Sequence, residues 1–326
     1  MGGTIGSVYR RTQSVRPVYQ LAGIAAFLLC LSTEGWAPSV GLFELAPVAV
    51  EPIGPDPIND PPRALDFSDL RTPRLRAQAA IIYNPATHEI LWQSDGHTQR
   101  PIASITKVMT VLVFLEQNPD LSLDVVISRR DTRRASTTYL RRGERIQLRD
   151  ILHLTLVASD NAAARVLARI SPWGTEGFIE QMNRKADELG LRNTTFSDPS
   201  GLNKNNLSTP YDLSRLMSYA IKSPRIATIM RKQSYQMRTS RRRLTVRNTN
   251  RLLQGRLDVI GGKTGYIDAS GYCFAAMVNV PDAGPLAVVV LGARSNSGRF
   301  SEVRRLTDWV SSEGRSLIAP HSVVAN

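Results

Sequence analysis

Two apolar runs stand near the C-terminal end, YCFAAMVNV at 272–280 and LAVVVLG at 286–292. They predict two long strands, which need sheet partners. A second strand signal lies far away at the other end. AQAAIIYNPATHEILWQSD, at 77–95, places two apolar segments around a turn at Asn84 and Pro85 and reads as a β-hairpin. Between these ends the periodicity is mostly helical. Residues 104–115 are apolar with Pro101 just before them, and 149–170 are helical but interrupted by Ser159, Asp160 and Asn161. Residues 176–189 are amphipathic and are ended by Gly190; Thr209 and Pro210 open another helix as cap and first turn. A short strand is expected at 125–128 and a last helix at 298–313. Strands at both ends with helices between them predict an α+β domain, one sheet closed by the two ends of the chain around a helical insertion.

That unit is expected to occupy 74–316, followed by a tail at 317–326. Ahead of it, 1–37 has the layout of an export signal. Arg10, Arg11 and Arg16 precede an eleven-residue apolar run at 21–31, which Glu34 ends. A bilayer span takes about 20 such residues. Residues 38–73 hold eight prolines, which block helix and ladder alike and predict an extended linker.

Hydrophobic residues make up 42% of the chain, enough for a sizeable core, while aromatics at 6% do not suggest a base-stacking surface. A formal charge of +13 calls for anionic surroundings. The two cysteines, Cys30 and Cys273, make no disulfide scaffold; Cys273 is expected to be a buried free thiol. The four histidines form no cluster with metal-ligand spacing, so no structural metal is expected.

The chemistry is concentrated in three short motifs. Ser104 and Lys107 lie three apart at the start of the apolar helix, on one face, where a nucleophile and its base can touch. An N-cap serine and a surface lysine would give the same spacing, but Val108, Met109, Val111 and Val113 make this helix apolar nearly all round and so bury the lysine. Ser159, Asp160 and Asn161 read either as a capped turn between helices or as a proton relay and an amide-binding group. His153, one turn earlier on an apolar face, reads as a core residue. Lys263 and Thr264 follow Gly261 and Gly262 and precede Gly265 and Tyr266; glycines allow close backbone approach, and a lysine with a hydroxyl can hold a carboxylate. A P-loop would need glycine where Leu257 stands.

Together, in this order, the motifs are those of β-lactamases and penicillin-binding proteins. The chain resembles the low-molecular-weight penicillin-binding proteins, serine D-alanyl-D-alanine carboxypeptidases and endopeptidases. The likeness is carried also by RPIASITKVMT at 100–110, LGLRNTTFSDPSGL at 189–202, STPYDLSRL at 208–216 and GGKTGYIDASGYC at 261–273. VRNTNRLL at 246–253 resembles the endopeptidase branch, and the chain stops soon after its last helix, without the additional C-terminal domain of many carboxypeptidases of this family.

The resemblance implies a five-stranded antiparallel sheet flanked by helices, plus an all-helical lobe. Ser104 would form an acyl-enzyme, with Lys107 as base, its pKa lowered by burial and by Lys263. Ser159 and Asn161 would complete the proton route and hold substrate backbone. Lys263 and Thr264 would bind the carboxylate, and the backbone N–H groups of Ser104 and Tyr266 would form the oxyanion hole. Implied partners are peptidoglycan peptides as substrates and β-lactams as covalent inhibitors, in the periplasm or cell envelope, with no cofactor.

The basic runs at Arg129–Arg130, Arg133–Arg134, Arg141–Arg142 and Arg241 to Arg243 fit either peripheral attachment to an anionic envelope or a solvated face; nucleic acid is not expected. A class A β-lactamase would need a glutamate for the deacylating water, and Glu176, Glu180 and Glu188 all sit in a plain amphipathic helix. A non-catalytic β-lactam sensor would keep the acylation residues but would want a signalling domain. A structural wall-binding protein would not need Ser104 and Lys107 together.

Overall fold

A computed structural model of the chain describes residues 72–313. The export signal, nearly all of the linker and the tail expected above lie outside the described residues. In chain order the elements are β1 (Ala79–Asn84), β2 (Glu89–Ser94), β3 (Arg100–Pro101), a 3₁₀ turn (Ala103–Thr106) and α1 (Lys107–Leu115). Next come β4 (Asp124–Val126), α2 (Arg129–Thr132), β5 (Arg145–Gln147), α3 (Leu148–Leu156), α4 (Asn161–Ile170) and α5 (Gly174–Glu188). They are followed by β6 (Leu207–Ser208), α6 (Pro210–Ala220), α7 (Pro224–Arg231) and a hairpin of β7 (Ser234–Arg238) and β8 (Arg243–Arg247). A second 3₁₀ turn (Arg251–Gln254) leads to β9 (Asp258–Ile267), β10 (Gly271–Val280), β11 (Gly284–Ala293) and α8 (Asn296–Ser312).

The main sheet has five antiparallel strands in the order β2-β1-β11-β10-β9. Its centre joins the two ends of the chain, with Ala79 opposite Leu291. This is the closure that the apolar runs require, and the fold is the α+β arrangement expected. Alternate residues serve opposite faces. On one face Ile81, Ala275, Met277, Val289 and Leu291 join Val108, Leu154, Phe178 and Leu213 of the helices in one core. On the other face Ile82, Phe274, Val288 and Val290 pack against Phe300, Val303, Leu306 and Val310 of α8. Both faces are therefore covered, which explains why these strands read as unbroken apolar runs.

Local chemistry sets the helix ends. The Thr209 hydroxyl accepts from Asp212 N at 3.0 Å with Pro210 in the first turn of α6. Past the end of α5, Gly190 takes φ +64°, which a glycine adopts without strain. The two ends of the described chain also meet. Arg76 N donates to Glu302 Oε1 at 3.0 Å, and Arg305 Nη1 donates to Arg74 O at 2.7 Å. Cys273 is a buried free thiol in β10. Among the described residues no helix is long and apolar enough to cross a membrane.

Candidate active site

Ser104 does not sit in the α-helix itself but in the 3₁₀ turn before it, and α1 starts at Lys107. Ala103, at the start of this turn, takes a left-handed φ of +48°, which keeps helical structure from extending further back along the chain. Two glycine backbones clamp this turn. A Cβ on Gly201 would lie 2.0 Å from Ala103 O, and one on Gly265 would lie 2.6 Å from Ile102 O and 3.3 Å from Ser104 N. β9 is thus pressed edge-on against the nucleophile turn, which only glycine permits at position 265.

Lys107 is fully buried. Its Nζ lies 2.8 Å from Ser104 Oγ and 2.6 Å from Asn161 Oδ1, and it also donates to Ser200 O. The Asn161 amide is oriented by its Nδ2, which donates to Ala135 O at 2.8 Å, so its oxygen faces the lysine. Those three acceptors match the three protons of an ammonium. Two of them, Asn161 Oδ1 and Ser200 O, can only accept. When Nζ loses a proton, the lone pair must therefore turn to the one partner that can donate in return, Ser104 Oγ–H. Burial lowers the Lys107 pKa to about 7; Asp198 and Asp160 oppose the shift and Arg165 adds to it. The neutral amine is therefore accessible near neutral pH.

Lys263 is also fully buried, and its Nζ donates to Ser159 Oγ at 2.7 Å and to Thr264 O at 2.9 Å. Its pKa falls well below that of an ordinary lysine, first through burial and then through the charges of Lys107 and Arg299. Burial is the chief cause of both shifts, and the repulsion between the two lysines is mutual, each charge disfavouring the other.

The Ser159-Asp160-Asn161 stretch caps a helix and also turns two side chains toward the buried lysines. Asp160 caps α4, accepting from Ala163 N at 2.9 Å, and also accepts from Thr138 Oγ1 at 3.0 Å. Its neighbours turn inward, Ser159 to Lys263 and Asn161 to Lys107. Ser159 takes φ +58°, a strained value for a non-glycine residue, and one that recurs where a side chain must be aimed.

The Thr264 hydroxyl donates to Thr249 Oγ1 at 2.7 Å. Tyr266 is exposed, with its ring stacked on Tyr272 at 4.3 Å between centroids. Behind this strand edge, Arg299 of α8 donates to Gly265 O at 2.9 Å, the carbonyl of the peptide unit that carries the Tyr266 N–H. Burial lowers the Arg299 pKa to about 10. Ser200, Thr249 and Arg299 were not foreseen as site residues, although SDPSGL and VRNTNRLL contain the first two. Glu176, Glu180 and Glu188 are exposed on α5, whose buried face carries Phe178, Met182 and Ala186. His153 is half-buried rather than in the core, stacked on Tyr235 at 3.7 Å.

A half-buried serine beside a lysine of low pKa, facing a second buried lysine beneath a strand edge, is equipped for acyl transfer. A sequence profile described as D-alanyl-D-alanine carboxypeptidase, peptidase S11, matches residues 68–295. A D-alanyl-D-alanine endopeptidase of Escherichia coli (strain K12) is 32% identical over 276 residues, 83% of this chain and 88% of the relative. One of Haemophilus influenzae is 35% identical over 60% of this chain and 68% of the relative. Among solved structures, the Streptomyces K15 DD-transpeptidase superposes with a TM-score of 0.69 at 28% identity, covering 76% of this chain and 100% of its own.

Proposed function

This chain belongs to the D-alanyl-D-alanine carboxypeptidase family of serine peptidases, peptidase S11, and from that premise we propose that it hydrolyses D-alanyl peptide bonds of peptidoglycan through an acyl-enzyme on Ser104. The observation that carries the reading is the hydrogen-bond set of Lys107, in which only Ser104 can return a proton.

The Ser104 proton passes to neutral Lys107 along the 2.8 Å contact as Oγ bonds to the substrate carbonyl carbon. Charge developing on the carbonyl oxygen meets the backbone N–H groups of Ser104 and Tyr266, on either side of the close approach at Gly265. The C–N bond then breaks. The leaving amine takes a proton from the lysine and serine group, with Ser159 as the relay, and water later releases the acyl chain. Lys263 and Thr264 hold the carboxylate of the leaving residue, and Asn161 holds both Lys107 and the substrate backbone. β9 is an edge strand, so its unpaired backbone groups are free to align an extended peptide. β-Lactams would acylate Ser104 by the same route.

Cross-link cleavage is favoured over trimming of terminal D-alanine. Two of the relatives described above are named endopeptidases, and VRNTNRLL resembles that branch. The leader at 1–37 would direct export, the proline-rich 38–73 would tether the unit, and 74–316 would act as the catalytic domain.

The test uses labelled penicillin and two substrates. Wild type should take up one label and Ser104→Ala none; an adduct on the alanine variant would sink the assignment. Cross-linked muropeptide dimers should be split faster than monomeric pentapeptides lose D-alanine, and the reverse order would make the chain a carboxypeptidase.

A further inference from the structure

A cleft of about 740 Å³ lies between the β7–β8 hairpin and the segment running from β5 into α3, and none of the catalytic residues assigned above lines it. Its walls carry Arg145, Arg149, Arg238 and Arg241 against two acids, Asp124 and Asp150. Asp150 is buried and accepts from Tyr235 OH at 2.7 Å, with Arg149 standing 3.8 Å away. Arg145, Arg238 and Arg241 are exposed, and none of them has an ion-pair partner among the described residues. The frame beneath them is fixed. Ser240 N donates to Arg145 O at 2.8 Å, Arg145 N donates to Ser240 Oγ at 3.0 Å, and Arg242 Nε donates to the fully buried Glu144 at 2.8 Å.

The elements that wall the cleft lead straight to the catalytic residues. Helix α3 starts in the cleft wall. Just past its end, two residues before Ser159, Val157 O accepts from the N–H of Thr249, whose hydroxyl is the partner of Thr264, at 3.1 Å. Nine helical residues cover about 13 Å at roughly 1.5 Å each. Four residues of extended peptide cover about the same distance.

The geometry points to this cleft as a second binding site, taking the carboxylate-bearing arm of a wall peptide whose scissile bond lies at Ser104. It rests on the peptidase reading above for the identity of that peptide. Guanidinium forks suit carboxylates because they can bind both oxygens at once. A concave cleft admits a single extended chain, whereas a flat bilayer would meet only its rim.

The test compares the full chain with the Arg145→Ala/Arg241→Ala variant; both side chains are exposed and outside the catalytic set. In a Ser104→Ala background, binding of a soluble disaccharide-tetrapeptide is measured by calorimetry. Loss of two exposed charge contacts should weaken it by about tenfold, and more salt should narrow the difference. With Ser104 restored, the variant should show a raised KM for muropeptide dimers with unchanged kcat, and unchanged labelling by penicillin. Equal tetrapeptide affinity in the two proteins overturns the proposal. So does arginine-dependent binding of phosphatidylglycerol vesicles without arginine-dependent binding of the peptide. If wild type splits no dimers, the peptidase preference fails, and the calorimetric comparison still decides the cleft.

Discussion

In the proposed reaction Lys107 is the residue on which the chemistry turns, and its protonation gives that reaction a pH dependence of definite sign. The base form is the neutral one and the pKa is about 7, so acylation by penicillin should accelerate as pH rises from about 6 to 8. A rate that is flat across that range would remove Lys107 as base. Lys107→Arg stays protonated at every such pH and should lower the acylation rate by about 10³-fold. Lys107 also bears on stability. Its folded pKa lies below the 10.5 of an ordinary lysine, so the unfolded chain binds the extra proton between those values. Its contribution to folding stability therefore rises with pH across that window. Lys263, held low in the free site by burial, gains a partner when a carboxylate arrives, so substrate binding should raise its pKa. Lys263→Arg should weaken substrate use less than Lys263→Ala. Gly265→Ala forces a Cβ to 2.6 Å from Ile102 O, so it should cost about 2 kcal/mol of stability and abolish labelling. Wild-type labelling in that variant would mean that the β9 contact is not what positions the nucleophile turn.

At the scale of elements, the contacts that tie the β7–β8 hairpin to the helical lobe include one buried ion pair. Glu144 is fully buried and Arg242 about a quarter exposed. Arg242→Ala leaves a carboxylate without its counterion and should lower unfolding stability by about 2 kcal/mol, measured by urea titration; hydrogen exchange should show the hairpin loosening first. That hairpin was illegible in the sequence, whereas the central strands and most helices were plain. The central strands bury both faces and show as apolar runs. In SYQMR and RLTVR the only fully buried residues are Met237 and Val246, so the alternation drowns among arginines. β9 shows no apolar run in the sequence because glycines and Lys263 interrupt it; pairing with β10 makes it a strand. The candidate site's Ser104 and Lys107 stood out in the sequence because a nucleophile and its base, as proposed, need the three-residue spacing that brings them within 2.8 Å. Ser200 contributes a backbone carbonyl, Thr249 supports another hydroxyl, and Arg299 braces the strand from behind, and none of these roles imposes a spacing on the sequence.

For the whole molecule, the sheet is completed only when the first strand reaches the last. β1 pairs with β11 through contacts such as Ala80 with Val290, a separation that makes loop closure costly and folding slow relative to a helical bundle of similar size. A chain beginning at residue 72 should retain wild-type penicillin labelling. One that also lacks β1 and β2 should not fold, as circular dichroism melting would show; loss of labelling in the first truncation would place part of the catalytic unit in the linker. The bonds from Arg76 to Glu302 and from Arg305 to Arg74 hold the two ends of this unit side by side. Adjacent ends make the order in which the elements are connected separable from their arrangement in space. A circular permutant that joins residues 72 and 313 through a short glycine-rich bridge, and opens at the exposed turn before Gly284, should rebuild the same sheet. It would start on β11, making the pairing with β1 more local and the pairing with β10 the distant one, and should acylate at the wild-type rate.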